Sequence, residues 1–186
     1  MIFDQQLYHG SYTKVEKPSL EMCMEGKDFG KGFYVTTDMS QAERFVRTSV
    51  KKAEKNGISV DKVKGYVSVY EIKECDDLKI YEFKTADRDW LHCVAAHRKR
   101  GILKVETEKW LDYDIIIGKI ANDTTNQVIT AYLNGLYGEV GSEGADEIAI
   151  RLLLPEKLKD QICIRTKKAM ERLSYVRCEE CAIETR

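Results

Sequence analysis

Three consecutive isoleucines, in the run Asp114-Ile115-Ile116-Ile117-Gly118, constrain this chain more than any other feature. β-Branched side chains lose rotamer freedom in a helix and sit well on a pleated strand. Such a run has no polar face to give to water, so it reads as a central strand buried on both sides. Other strands follow from their patterns. Tyr66–Ile72 alternates with period two, as a half-buried strand does, and Leu78–Tyr81 is its expected neighbour. Leu7-Tyr8-His9 is a short early strand ended by Gly10-Ser11. Gly32–Thr36 is aromatic and β-branched, and Gln161–Arg165 is the last strand expected.

Helical spacing fills the intervals. Asp38 stands as an N-cap with Gln41 three residues later, a capping-box pattern. Behind it Ala42, Phe45, Val46, Val50 and Ala53 recur every three or four residues until Asn56-Gly57. Further helices are expected over Asp87–Arg100, Asn126–Leu136 and Ala145–Leu154, the last stopped at Pro155. Glycines at 135, 138, 141 and 144 punctuate the connection between the last two, and Thr166 is the expected cap of a closing helix, Lys167–Leu173. Six or so strands mixed with four or five helices indicate an α+β fold, expected as one domain over residues 1–186.

Composition narrows function mostly by exclusion. A hydrophobic share of 43% and a net charge of −1 describe a water-soluble globule without the basic balance of a polyanion binder. Local basic clusters at His97-Arg98-Lys99-Arg100 and at Arg165, Lys167, Lys168 and Arg172 read first as solvated surface. No signal peptide and no apolar stretch of membrane-spanning length is visible, and six scattered cysteines fit reduced thiols, so a cytoplasmic protein is expected. Cys178-Glu-Glu-Cys181 lacks a second ligand pair, so no metal is expected. GxGxxG, GxxxxGK[ST] and GxSxG are all missing, which argues against Rossmann, P-loop and nucleophile-elbow sites. His92 and His97 stand five apart, which is not the spacing of a zinc-protease pair.

His9 stands apart from the other histidines. It ends a strand and precedes a glycine, which lets another molecule approach the backbone, and then a hydroxyl. Taken singly, His9 and Tyr34 are equally readable as structural residues. Taken together, Leu7-Tyr8-His9-Gly10-Ser11 resembles the first motif of the ADP-ribosyltransferase superfamily, in its PARP-like, diphtheria-toxin-type branch. Phe29-Gly30-Lys31-Gly32-Phe33-Tyr34-Val35-Thr36-Thr37-Asp38, followed by Ser40–Phe45, resembles the second, with Phe45 eleven positions after Tyr34. Tyr113–Gly118, Ile120–Asn126 and Gln161–Leu173 are similar to a bacterial family within that superfamily, described as a domain of unknown function.

The resemblance implies a split β-sandwich of two small, mostly antiparallel sheets with flanking helices. It implies NAD as substrate, and mono-ADP-ribosyl transfer to a macromolecular acceptor, protein or nucleic acid, with release of nicotinamide. A bacterial toxin or effector with a cognate antitoxin or immunity protein would fit. His9 would bond the adenosine-side ribose, Gly10 the carboxamide, and Ser11 would line the ribose. Tyr34 would stack on nicotinamide beside Gly32, with Phe45 closing the other face; a cationic ring between aromatics gains stacking and cation–π attraction. Where the family carries a glutamate, this chain offers Gln161, and where many members carry a serine it has Ala42. Glutamine hydrogen-bonds but cannot act as a base, so chain elongation is not expected. Ala121–Asn126 is open to two readings: helix capping by Asp123 or Thr124, or a phosphate-contacting loop in which Asn122 binds and Asp123 supplies the carboxylate that Gln161 lacks. A non-catalytic NAD- or ADP-ribose-binding module, or a nucleic-acid-modifying enzyme of the same fold, are the other readings.

Overall fold

The computed structural model describes residues 2–103, 108–120, 123–154 and 158–183. These residues form an α+β structure, as the patterning predicts, with its strands in two sheets. Strands are β1 (Leu7–Ser11), β2 (Phe33–Val35), β3 (Lys64–Ile72), β4 (Ile80–Glu82), β5 (Ile115–Lys119), β6 (Asp160–Ile164) and β7 (Leu173–Ala182). Helices are α1 (Met39–Lys55), α2 (Arg88–Arg98), α3 (Asp123–Leu133), α4 (Glu143–Leu153) and α5 (Lys167–Met170). One sheet has the order β1-β3-β7 and is antiparallel; the other runs β2-β6-β5-β4, with β5–β6 antiparallel and β4–β5 parallel. The chain divides into two compact units, one of residues 1–19, 34–77 and 167–186, the other of 20–33 and 78–166.

In the first unit, α1 covers the β1-β3-β7 sheet. Asp38 caps the helix, its carboxylate accepting the Gln41 N–H at 3.0 Å. Ala42, Val46 and Val50 then pack with Val67 of β3, and Tyr8, Tyr12 and Met39 flank them. Helix and sheet approach closely because β1 carries Gly10: a Cβ there would lie 2.0 Å from the Ala42 carbonyl oxygen. In β7, Val69 pairs with Arg177 and Tyr70 with Tyr175, so Val176 is an unmatched, bulged residue.

In the second unit the isoleucine strand is central, as its apolarity requires. Ile115 and Ile116 are fully buried, and β5 lies between β4 and β6. Helix α2 is capped by Asp87 and buries Trp90, Leu91, Cys93, Val94 and Ala95. Buried Asp146 of α4 ties three helices together: it accepts from His92 Nε2 of α2 at 2.8 Å, from Arg88 Nε of α2 at 2.8 Å and from the Tyr132 hydroxyl of α3. That hydroxyl in turn accepts the Gly141 N–H at 2.9 Å, which fixes the glycine-punctuated turn.

The structure departs from the sequence pattern in pairing as well as in boundaries: β4 lies beside β5 and not beside the Tyr66–Ile72 strand, whose neighbours are β1 and β7. The strand expected to be last, Gln161–Arg165, is followed by the ten-residue β7. That strand is half-exposed and carries Arg177, Glu179 and Glu180, so no apolar alternation announces it. The closing helix is only Lys167–Met170, because Leu173 enters the ladder with Ile72 and the Arg172 carbonyl accepts the Lys73 N–H at 3.0 Å. Helix α3 begins at Asp123 and ends at Leu133, three residues earlier at each end than its pattern. Its last turn is closed by Gly135, whose φ of +75° suits glycine.

Removing the Asp146 carboxylate leaves a histidine and a phenol buried without their acceptor. Asp146→Ala is expected to cost about 3–5 kcal/mol of unfolding free energy in a urea titration. A loss below about 1 kcal/mol would show that the three helices do not depend on this carboxylate.

Candidate functional site

His9 and Tyr34 are neighbours within the first unit. Tyr8 and Thr36 form a two-way backbone bridge, with N–H to oxygen distances of 2.8 and 3.0 Å, which holds β1 beside the segment leaving β2. On that bridge His9 Nδ1 lies 2.7 Å from the Tyr34 carbonyl oxygen. A carbonyl only accepts, so Nδ1 carries the proton and Nε2 presents a lone pair. Burial lowers the pKa of His9 from its ordinary 6.5, outweighing the opposing effect of the Tyr34 hydrogen bond, so the ring is neutral at pH 7. Both side chains are half-buried.

The residues around them have definite places. Gly10 is buried, and its missing side chain is required by the overlying Ala42 carbonyl. Ser11 is buried too, and its hydroxyl accepts the Thr13 N–H at 3.4 Å. Phe45 is 40% exposed on α1, with the Lys52 ammonium 5.6 Å from its ring centroid.

Gly32 and Gln161 belong to the second unit. Gly32 is where the loop presses onto β6: a Cβ would come within 2.5 Å of Cys163 Sγ and 2.7 Å of the Ile164 carbonyl oxygen. Gln161 is buried on β6, and its Nε2 donates to Asp28 Oδ2 at 2.7 Å and to the Lys119 carbonyl at 3.4 Å. Asp28 is buried as well and takes Arg98 on its other oxygen, with Nε at 2.8 Å. Arg98 also donates to Asn126 of α3. Gln161 is therefore part of a chain running from half-buried Arg98 through buried Asp28, which anchors the turn before Phe29. No sequence motif marks Asp28 or Arg98; their only sign is an acid just before Phe29-Gly30 and a base in the His97–Arg100 run.

Asn122, with Ala121, lies outside the described residues, as does the Asp123 side chain; Asp123 is described only as the first residue of α3. The basic clusters are largely neutralised where they stand. Arg98 pairs with Asp28, Arg100 with Glu25 and Lys168 with Asp77, while Lys99 donates to the Leu133 carbonyl and Arg165 to that of Trp110. Among the described residues no group of acidic, histidine or cysteine side chains has the arrangement of a metal site, and no helix is long and apolar enough to cross a membrane.

The family profile described as "Protein of unknown function (DUF3990)" matches residues 5–175, which take in β1 to β6 and the start of β7. The chain belongs to that family. No curated protein and no solved structure matched it. The matched span contains His9, Tyr34, Phe45, Asp28, Arg98 and Gln161.

Two measurements follow from this geometry. In Gln161→Glu a second carboxylate would stand against buried Asp28, so stability should fall by about 1–3 kcal/mol at pH 7 and recover in acid. An unchanged melting temperature at pH 7 would mean that the amide does not bond Asp28. For His9, the folded ring binds its proton less readily than the unfolded chain. Its contribution is complete above pH 6.5 and declines as the pH falls below that value. The His9 ring proton followed by NMR should titrate below 6.5; a midpoint at or above 6.5 would contradict the neutral, acceptor form.

Proposed function

We propose that this protein is an NAD-dependent mono-ADP-ribosyltransferase of the PARP-like type. The observation that carries the reading is the 2.7 Å hydrogen bond from His9 Nδ1 to the Tyr34 carbonyl. It supports the pairing of the first and second motifs, whose residues lie 25 positions apart in the chain. In this reading the His9 Nε2 lone pair accepts a hydroxyl proton from the adenosine-side ribose. The Tyr34 ring stacks on the nicotinamide, and the Gly10 backbone holds the carboxamide.

The reaction then proceeds as glycoside cleavage does. The bond between the ribose C1′ and the nicotinamide nitrogen lengthens, its electron pair leaves with nicotinamide, and positive charge spreads over C1′ and the ring oxygen. The acceptor's nucleophile attacks C1′ and loses its proton to solvent or to a base of the acceptor. The protein's contribution is orientation and a fixed hydrogen-bonding environment. Glutamine at the third motif position offers a hydrogen bond but no base to an incoming ribose hydroxyl, which favours one transfer per acceptor site.

A second reading, a module that binds NAD or ADP-ribose without turnover, is favoured by one observation: the Gln161 amide is engaged by Asp28. The two separate in one experiment on the intact protein. Transfer predicts release of nicotinamide from NAD, falling at least about tenfold in His9→Ala and in Tyr34→Ala while both variants keep their fold. A binding module predicts an NAD-dependent rise in melting temperature with no nicotinamide released. Neither release nor stabilisation at millimolar NAD would reject both.

A further inference from the structure

The outward face of α1 carries a stripe of positive charge. Arg44, Arg47, Lys51 and Lys55 follow one another at three- and four-residue intervals, so they line one side of the helix over about 16 Å. All four are exposed, as is Lys52 beside the stripe. The opposite side of the helix is the one buried on the sheet through Ala42, Val46, Val50 and Ala53. Among the described residues Arg44, Lys51 and Lys55 take part in no ion pair, in contrast to the neutralised charges at Arg98, Arg100 and Lys168. The acids of the helix do not interrupt the stripe: Glu54 is turned to Lys62 at 2.9 Å, and Glu43 lies on the flank.

One exposed aromatic ring stands at the edge of this field. Phe45 is 40% exposed and is already within cation–π reach of Lys52. Cations at regular spacing beside a solvent-facing ring are what a single strand of nucleic acid needs: phosphates meet the cations and an unstacked base meets the ring. A duplex keeps its bases stacked away from such a ring. A lipid surface would require an apolar face free to insert, and the apolar face of α1 is occupied. We infer that the outward face of α1 is a docking surface for single-stranded nucleic acid, with Arg44, Lys51 and Lys55 on the phosphates and Phe45 under a base. The inference stands on the charge arrangement and does not require the transfer reaction; oligonucleotide binding and nicotinamide release are read separately.

The test is fluorescence anisotropy of the intact protein with labelled oligo-U and oligo-dT of about twelve nucleotides, within the site sizes of such surfaces. Binding should weaken with salt at a log–log slope of about −2, roughly −0.7 for each of the three phosphates engaged. Lys51→Glu/Lys55→Glu should lose at least about tenfold in affinity, and Phe45→Ala about 5- to 100-fold with its salt slope kept. Lys51 and Lys55 face solvent, so the double variant should melt as the parent does, while Phe45→Ala should stay folded with a small loss from the covered part of its ring. The inference is overturned if no binding occurs at low salt, or if the double variant binds as the parent does. It is equally overturned if poly-glutamate or a duplex of equal length competes as well as the single strand.

Discussion

Contact between α1 and the first sheet is set by a backbone, not by side chains. At Gly10 the strand has nothing to interpose beneath the Ala42 carbonyl, so the helix settles directly onto β1 and β3. Dispersion and apolar burial both fall off within about an ångström of added separation, so that one missing methyl governs how well Val46 and Val50 pack. It also fixes which side of α1 remains wet. Because the Ala42–Val46–Val50–Ala53 side is committed to the sheet, Arg44, Lys51 and Lys55 have no direction but outward. His9, one residue before the glycine, is held on the same strand and bonded to the Tyr34 carbonyl.

Among the described residues the second unit buries Asp28, Asp114 and Asp146, and the first and last of these organise it, each saturated with donors. Asp146 serves α2 and α3, and Asp28 serves Arg98 and Gln161. An isolated charge at such depth would be very costly; several hydrogen bonds converging on one acceptor offset that cost and make the arrangement unique in geometry. Neither carboxylate has the environment of a general base, because their oxygens already carry donors. In the first unit the polar contact is of another kind, a ring nitrogen of His9 donating to the Tyr34 carbonyl.

Much of this was legible in the sequence because the signals are local. The isoleucine run, the Tyr66–Ile72 alternation and the Asp38–Gln41 cap each state their structure within a few residues. Strand β7 was not legible, because a half-exposed strand bearing Arg177, Glu179 and Glu180 is fixed by its ladder with β3 and not by its own hydrophobicity. The role of Gln161 escaped for a similar reason: its partner Asp28 lies 133 residues away. In the densest basic run, His97–Arg100, Arg98 and Arg100 are paired with Asp28 and Glu25, whereas the α1 cations are diluted among apolar residues and emerge only when the helix is wound.

The bulge in β7 has a bearing on how the protein behaves in crowded solution. Among the described residues β7 pairs only with β3, and a ten-residue strand with an open edge is a template onto which other chains could add, step after step, into insoluble filaments. The extra residue at Val176 twists that template out of plane, and the charges of Arg177, Glu179 and Glu180 would have to shed their hydration to let a neighbour in. A mild irregularity in one ladder thus protects the chain's colloidal stability without burying any additional surface.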